Sequence, residues 1–183
     1  MEAIELRRLL DMSDLLRCTE IEKEIWGEGI VPVHMLRAVT QMGGLAIGAF
    51  SGTEMAGFVF GFLGSLERDG QHRLLHHSHV MGVLPRFRGH GIGAALKRFQ
   101  AQCCLEQGVE LMTWTFDPLR GRNAHLNIEN LGAIVRIYEP KHYGEMHDSQ
   151  NGQLDSDRLL AEWHLVEPEA RWDGDPDSLL PVL

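Results

Sequence analysis

Residues 77–96, HSHVMGVLPRFRGHGIGAAL, constrain the fold most: a strand-forming run passes a proline into an arginine-bearing, glycine-rich turn that opens a helix. Glycine lets the backbone approach a ligand closely, and the free N–H groups of a helix's first turn favour anionic oxygens. Arg86, Arg88 and His90 add donors beside Gly89, Gly91, Ile92 and Gly93, so the junction reads as a phosphate cradle. Gly89, Gly91 and Ala94 also spell G-x-G-x-x-A. That pattern marks a dinucleotide site only after the first strand of a βαβ unit, with an acid ending the next strand. Here roughly 80 residues precede it, and Glu106 and Glu110 stand before and at the start of the next strand instead of ending it, so the dinucleotide reading loses. A purely structural turn stays open, although two flanking arginines favour an anion.

Around this junction the pattern gives a mixed sheet. Alternation over residues 3–8 predicts a first strand, and Ser13 or Asp14 is placed to cap a helix running to Ile25, ended by Trp26-Gly27. A short helix over 34–41 follows, then strands over 45–50 and 55–62 joined by Ser51-Gly52-Thr53-Glu54, and a polar turn over 67–72. The fourth strand spans 74–84, the helix after the cradle 91–107, and the fifth strand 110–117. That strand, helix, strand unit implies a parallel pair within an otherwise antiparallel order. A short helix over 123–130 and late strands over 132–138 and 158–166 complete the core, the two strands separated by a long loop. Residues 167–183 are acidic and hold three prolines, which suits a surface tail.

The 183 residues, 44% hydrophobic, are expected to form a single domain over 1–183, with its core at 3–166. A net charge of −9 argues against nucleic acid and anionic membranes as partners. The longest apolar and glycine run, residues 55–66, is too short to span a bilayer as a helix. Three cysteines, two of them adjacent, make neither a disulfide framework nor a zinc pattern, and a reducing cytoplasm fits best.

With Arg88, Gly91 and Gly93 in the order R-x-x-G-x-G after Val83-Leu84-Pro85, the turn resembles the pyrophosphate loop of the GNAT superfamily of acyl-CoA N-acyltransferases. The stretches HSHVMGVLP, WTFDPLRGRNAHLN and DSDRLLAEWHL resemble a largely uncharacterised bacterial branch of it. The resemblance implies an α/β (α+β) fold: a GNAT-like mixed, mostly antiparallel sheet flanked by helices, with splayed fourth and fifth strands. It implies acetyl-CoA or another acyl-CoA as co-substrate, without a metal, and transfer to a primary amine of a small molecule, an amino acid among the candidates. The backbone N–H of Met81 or Val83 would polarise the thioester carbonyl, and pantetheine would lie like an extra strand in the splay.

An amine is mostly protonated at neutral pH, so a base or water relay is expected. His79 is the favoured candidate and Asp117 the second; the plainer readings are a histidine capping the core and an Asp117-Pro118 turn. Many members of the superfamily carry a tyrosine as general acid toward the thiolate; with Leu131-Gly132-Ala133 matched to their helix-ending segment, that position here holds Ile128, which leaves Tyr138 or Tyr143 as substitutes, or departure of the thiolate unaided. Asn123 and Asn127 suit hydrogen bonds to pantetheine or acceptor, or helix capping. Trp26 and His34 are candidates for the acceptor pocket or for plain core. Arg158 suits an acceptor carboxylate, or a pair with Asp155 or Asp157.

Histidines 72, 76, 77 and 79 lack a metal-binding spacing, since His76 and His77 point to opposite faces of a strand. Asp173, Asp175 and Asp177 begin like a calcium loop but lack its glycine and closing glutamate. Two other functions stay open: a CoA-binding sensor or partner-binding module without chemistry, and a protein or peptide N-acetyltransferase. A homodimer built on the late strands and tail is equally open.

Overall fold

Among the described residues, seven strands form one sheet in the order β1-β2-β3-β4-β5-β7-β6, antiparallel at every step except β4 against β5. The strands are β1 Ile4–Arg8, β2 Leu45–Ser51, β3 Glu54–Arg68, β4 Gln71–Val83, β5 Leu111–Phe116, β6 Ile134–Glu139 and β7 Arg158–His164. Helices α1 Met12–Trp26 and α2 Val33–Gln41 cover one face, and α3 Ile92–Glu106 crosses the other between β4 and β5. Helix α4, Gly121–Ala124, runs into a π-helical turn, His125–Asn130. The computed structural model describes residues 3–27, 31–68, 70–144 and 156–166. The acidic tail, its three aspartates, Asp155 and Asn151-Gly152 lie outside the described residues.

The expected mixed, mostly antiparallel sheet with flanking helices is the one found, with three local corrections. Asp11, not Ser13 or Asp14, occupies the N-cap of α1, and Asp14 in the first turn accepts from both terminal nitrogens of Arg7 at 2.6 and 3.0 Å. The polar stretch expected as a turn continues the β3–β4 ladder, with Leu66 opposite Arg73 and Glu67 opposite His72. Polar side chains are no obstacle where a two-stranded ribbon faces water on both sides. The helix expected at 123–130 starts at Gly121 and widens to π geometry at His125.

Each face of the sheet has its own apolar cluster. Leu15, Ile21, Leu36, Phe58, Phe60 and Val80 pack beneath α1 and α2. Ile47, Val59, Ile92, Leu96, Met112 and Trp114 pack beneath α3. The strand alternation that feeds both clusters is broken once in β4, where Phe60 pairs with Val80 but Gly61 pairs with Ser78, leaving His79 unpaired. This one-residue bulge reverses the parity of the strand. Before it, His76 and Ser78 face α3 while His77 and His79 face Phe62; after it, Met81 and Val83 face α3 and Val80 turns to α1.

Candidate active site

Pairing between β4 and β5 is confined to His76 with Met112 and His77 with Thr113. Beyond these residues the two strands diverge, and a cleft of about 1030 Å³ opens between them. Met81 and Val83 form its β4 wall, Thr115 and Asp117 its β5 wall, and Asn123 and Asn127 close it from α4 and the π-helical turn. Trp26 reaches its rim from the end of α1. Gly82 permits that approach, because a Cβ there would lie 2.8 Å from Ile25 Cδ1 and 3.0 Å from Trp26 Cη2. Gly27 ends α1 at φ +86, its N–H donating to Lys23 O at 2.9 Å.

At the mouth of the cleft stands the glycine-rich turn. Gly89 and Gly91 hold φ of +84 and +76, a left-handed conformation that L side chains adopt at a cost. Gly91 is the N-cap of α3, and among the described residues no side chain caps the helix. Its first-turn N–H groups are therefore offered to a ligand, with the partial positive charge of the helix behind them. The space a Cβ would take at Gly89 and at Gly91 is open. Arg88 lines the cleft, anchored by its Nε donating to Val83 O at 2.9 Å. His90 is exposed, with Nδ1 3.3 Å from Phe87 O.

At the apex, where the strands part, a chain of buried polar groups runs from α3 into the sheet. Lys97, 3% exposed, donates from Nζ to Ser78 Oγ at 2.7 Å and sits 3.9 Å above the ring centre of Trp114. Ser78 Oγ donates to Gln100 Oε1 at 2.7 Å, and Gln100 Nε2 donates to His76 Nε2 at 3.1 Å. That order leaves the His76 proton on Nδ1, which finds no partner among the described residues. Burial pushes the His76 pKa down to about 4, with Lys97 contributing, and the ring is neutral. Burial pushes Lys97 down to about 7.

On the opposite face of β4, His77 Nδ1 is 3.0 Å from Thr113 Oγ1, and the His77 and His79 rings lie 6.3 Å apart against Phe62. Burial, with help from His79, lowers His77 to about 4. His79 lines the cleft, and the walls around it lower its pKa by desolvation. It is therefore largely neutral at pH 7, with an imidazole nitrogen able to take a proton.

Several sequence expectations are relocated by these contacts. Arg86, expected in the cradle, is exposed and clamped between Glu24 and Glu54, which hold its guanidinium away from the turn. Tyr138 lies outside the cleft lining, and its hydroxyl donates to Asp157. Tyr143 lines the cleft instead, its hydroxyl 3.1 Å from Thr115 Oγ1. His34 is exposed on α2, outside the cleft. Asp117 lines the cleft while making the turn of its plainer reading, accepting from Leu119 N–H at 2.8 Å and from Arg120 Nε at 3.4 Å. Arg158 lines the cleft with its guanidinium 5.2 Å from the ring centre of Tyr143, and Nη1 donates to the backbone O of Asp157 at 2.8 Å. Asn127 is 4% exposed.

Sequence reasoning gave Ser78, Gln100 and Trp114 no place in the site, and took Lys97 only as one of the cations between Arg86 and Arg98. The signal was a helix stripe: Lys97 and Gln100 fall at the i, i+3 spacing that continues through Ala101 and Cys104 on the buried side of α3.

A seven-stranded sheet opened between parallel β4 and β5, with a glycine-rich helix start at the opening, is the fold of the GNAT type. Solved structures share it. The acetyltransferase of GNAT family from Streptococcus pneumoniae aligns with a TM-score of 0.68 over 88% of this chain and 99% of its own, at 11% identity. Arabidopsis thaliana NAA60 in complex with acetyl-CoA gives 0.70 over 88% and 99%, at 15% identity. The ribosomal-protein-S18-alanine N-acetyltransferase from Escherichia coli gives 0.69 over 93% and 98%, at 15% identity. No family model and no curated protein matches the chain.

Proposed function

We propose that the protein is an acyl-CoA-dependent N-acyltransferase that acylates a primary amine of a small molecule, with amino acids the class of acceptor its cleft suits. The observation that carries this reading is the splay of β4 from β5 with the uncapped start of α3 at its mouth. A pyrophosphate fits that mouth: the first-turn N–H groups are free of side-chain caps, Arg88 stands beside them, and the room above Gly89 and Gly91 is open. The unpaired edges of β4 and β5 supply backbone groups for an extended pantetheine arm. Asn123 and Asn127 add side-chain amides.

When bound, the donor supplies an acyl thioester open to attack by an amine. The N–H groups of β4 near Met81 and Val83 stabilise the negative charge that develops on the carbonyl oxygen. His79 takes the proton that the acceptor nitrogen must lose as the C–N bond forms. Tyr143 is the hydroxyl on the cleft wall that can return a proton to sulfur as the C–S bond breaks. Arg158 offers a planar pair of donors to the acceptor's carboxylate, its plane steadied by the Tyr143 ring.

Calorimetric titration with CoA tests the cradle. A Gly91→Glu variant places a carboxylate where the pyrophosphate is expected, so CoA affinity should fall by about 100-fold or more while circular dichroism stays native. A folded variant that binds CoA as the parent does would overturn the assignment. An acceptor panel of free amino acids, simple amines and peptide N-termini separates small-molecule from peptide acylation, and turnover confined to peptides would overturn the small-molecule reading.

A further inference from the structure

We propose that the cleft is built for an acyl donor whose acyl chain ends in a carboxylate, and that Lys97, held in place by Ser78, receives that carboxylate. The proposal rests on the acyl-CoA reading above and concerns the end of the cleft opposite the cradle.

Position is the first support. Ser78 and Trp114 are the first residues beyond the last β4–β5 pairs, and Lys97 Nζ lies between them at the apex of the splay, on the cleft lining. A molecule held by its phosphates at the start of α3 and threaded along the splay meets this apex with its far end, which for an acyl-CoA is the acyl group. The second support is the missing counter-ion. Lys97 is nearly fully buried, its contacts are a hydroxyl and an indole face, and no carboxylate pairs with it among the described residues. Glu162, the buried acid of the neighbouring strand, lies opposite Thr113, whose hydroxyl meets His77 on the other face of the sheet.

A buried ammonium without an anion is costly, and an aliphatic side chain at this position on α3 would avoid the cost. A ligand carboxylate supplies the missing charge, and the Trp114 face and Ser78 hydroxyl hold Nζ in place for it. The relay behind Ser78 suits this role, because Ser78 donates toward Gln100 and leaves its lone pairs to Lys97. The other titratable group on the relay, His76, is neutral and competes for no anion.

Succinyl-CoA and butyryl-CoA have acyl chains of equal length and differ in the terminal carboxylate, so they form the probe pair. Calorimetry on the whole protein, without acceptor, should show succinyl-CoA binding about 10- to 100-fold more tightly than butyryl-CoA. At pH 8, where Lys97 is mostly neutral in the free protein, binding of succinyl-CoA should draw about one proton from solution, read from titrations in buffers of different ionisation enthalpy. Butyryl-CoA should draw none. In Lys97→Met the preference should vanish or invert, and the proton uptake should disappear. Equal binding of the two donors by the parent protein, or absence of uptake, would overturn the proposal while free CoA still bound at the cradle. Failure of every CoA species to bind would instead remove the transferase reading on which it rests.

Discussion

Replacing Lys97 by methionine should make the ligand-free protein more stable at pH 7, the opposite of what removal of a buried hydrogen-bonding residue usually does. The unfolded chain carries Lys97 with its ordinary pKa of 10.5, and burial lowers the folded value to about 7. A lysine whose folded pKa is depressed opposes folding wherever the unfolded chain holds the proton and the native state does not. The penalty is therefore absent above pH 10.5, grows as pH falls, and is complete below about 7. At 1.36 kcal/mol per pKa unit, a drop from 10.5 to about 7 amounts to roughly 5 kcal/mol. Methionine is of similar length and lacks the charge, but it forfeits the hydrogen bond to Ser78, worth about 1 kcal/mol. Urea unfolding at pH 7 should then show Lys97→Met about 3 to 4 kcal/mol more stable than the parent. The advantage should shrink steadily toward pH 10. A variant less stable than the parent at pH 7, or a difference that does not change between pH 7 and 10, would refute the picture of an ammonium confined without a counter-ion.

Two further predictions concern the reaction. For His79, held below its ordinary 6.5 by desolvation, the neutral ring is the working form, so activity should decline as pH falls through that lowered pKa. His79→Ala should lose that acid limb and about 100-fold or more in kcat, with CoA affinity unchanged, and a retained limb would exclude His79 as the base. Arg158→Ala should raise KM for amino acid acceptors by about 10- to 100-fold while leaving kcat and the KM for amines without a carboxylate near the parent values. An unchanged KM for amino acids would move the carboxylate site elsewhere in the cleft.

How much of this was legible in the sequence follows from which interactions are local. The glycine-rich turn, the helix it opens and the strands flanking it are set by neighbours within a few residues, and each stands close to where the pattern puts it. The bulge at His79 left no mark, since an extra residue within HSHVMGV has the same composition as a regular strand, and only the partner register in β3 exposes it. The ion pairs of Arg86 could not be read because its partners, Glu24 and Glu54, lie 62 and 32 positions away and meet it only in the fold. Tyr138 and Tyr143 are five residues apart with similar neighbours, yet the register of β6 on β7 gives the first to Asp157 and the turn after β6 gives the second to the cleft. Lys97 was hidden by its own charge: a lysine beside Arg98 suggests a solvated basic patch, and only its spacing with Gln100 on the buried side of α3 contradicts that.

The distribution of charge around the cleft joins these readings. In a chain of net charge −9, the described residues that line the cleft include Arg88, Lys97, Arg120, Arg122 and Arg158, with Asp117 the acid among them. Asp117 is already engaged with Arg120. Cations gathered this way in a low-dielectric concavity raise the local concentration of anions and order them by position. Arg88 stands at the mouth with the start of α3, Lys97 at the apex, and Arg158 on the β7 side above Tyr143. Three separated cationic points match three separate anionic groups: a pyrophosphate, the end of an acyl chain, and an acceptor carboxylate. His79 lines the same cleft from the face of β4 opposite Lys97. Its pKa is lowered by desolvation from the walls around it, which keeps the base in the form that can accept a proton.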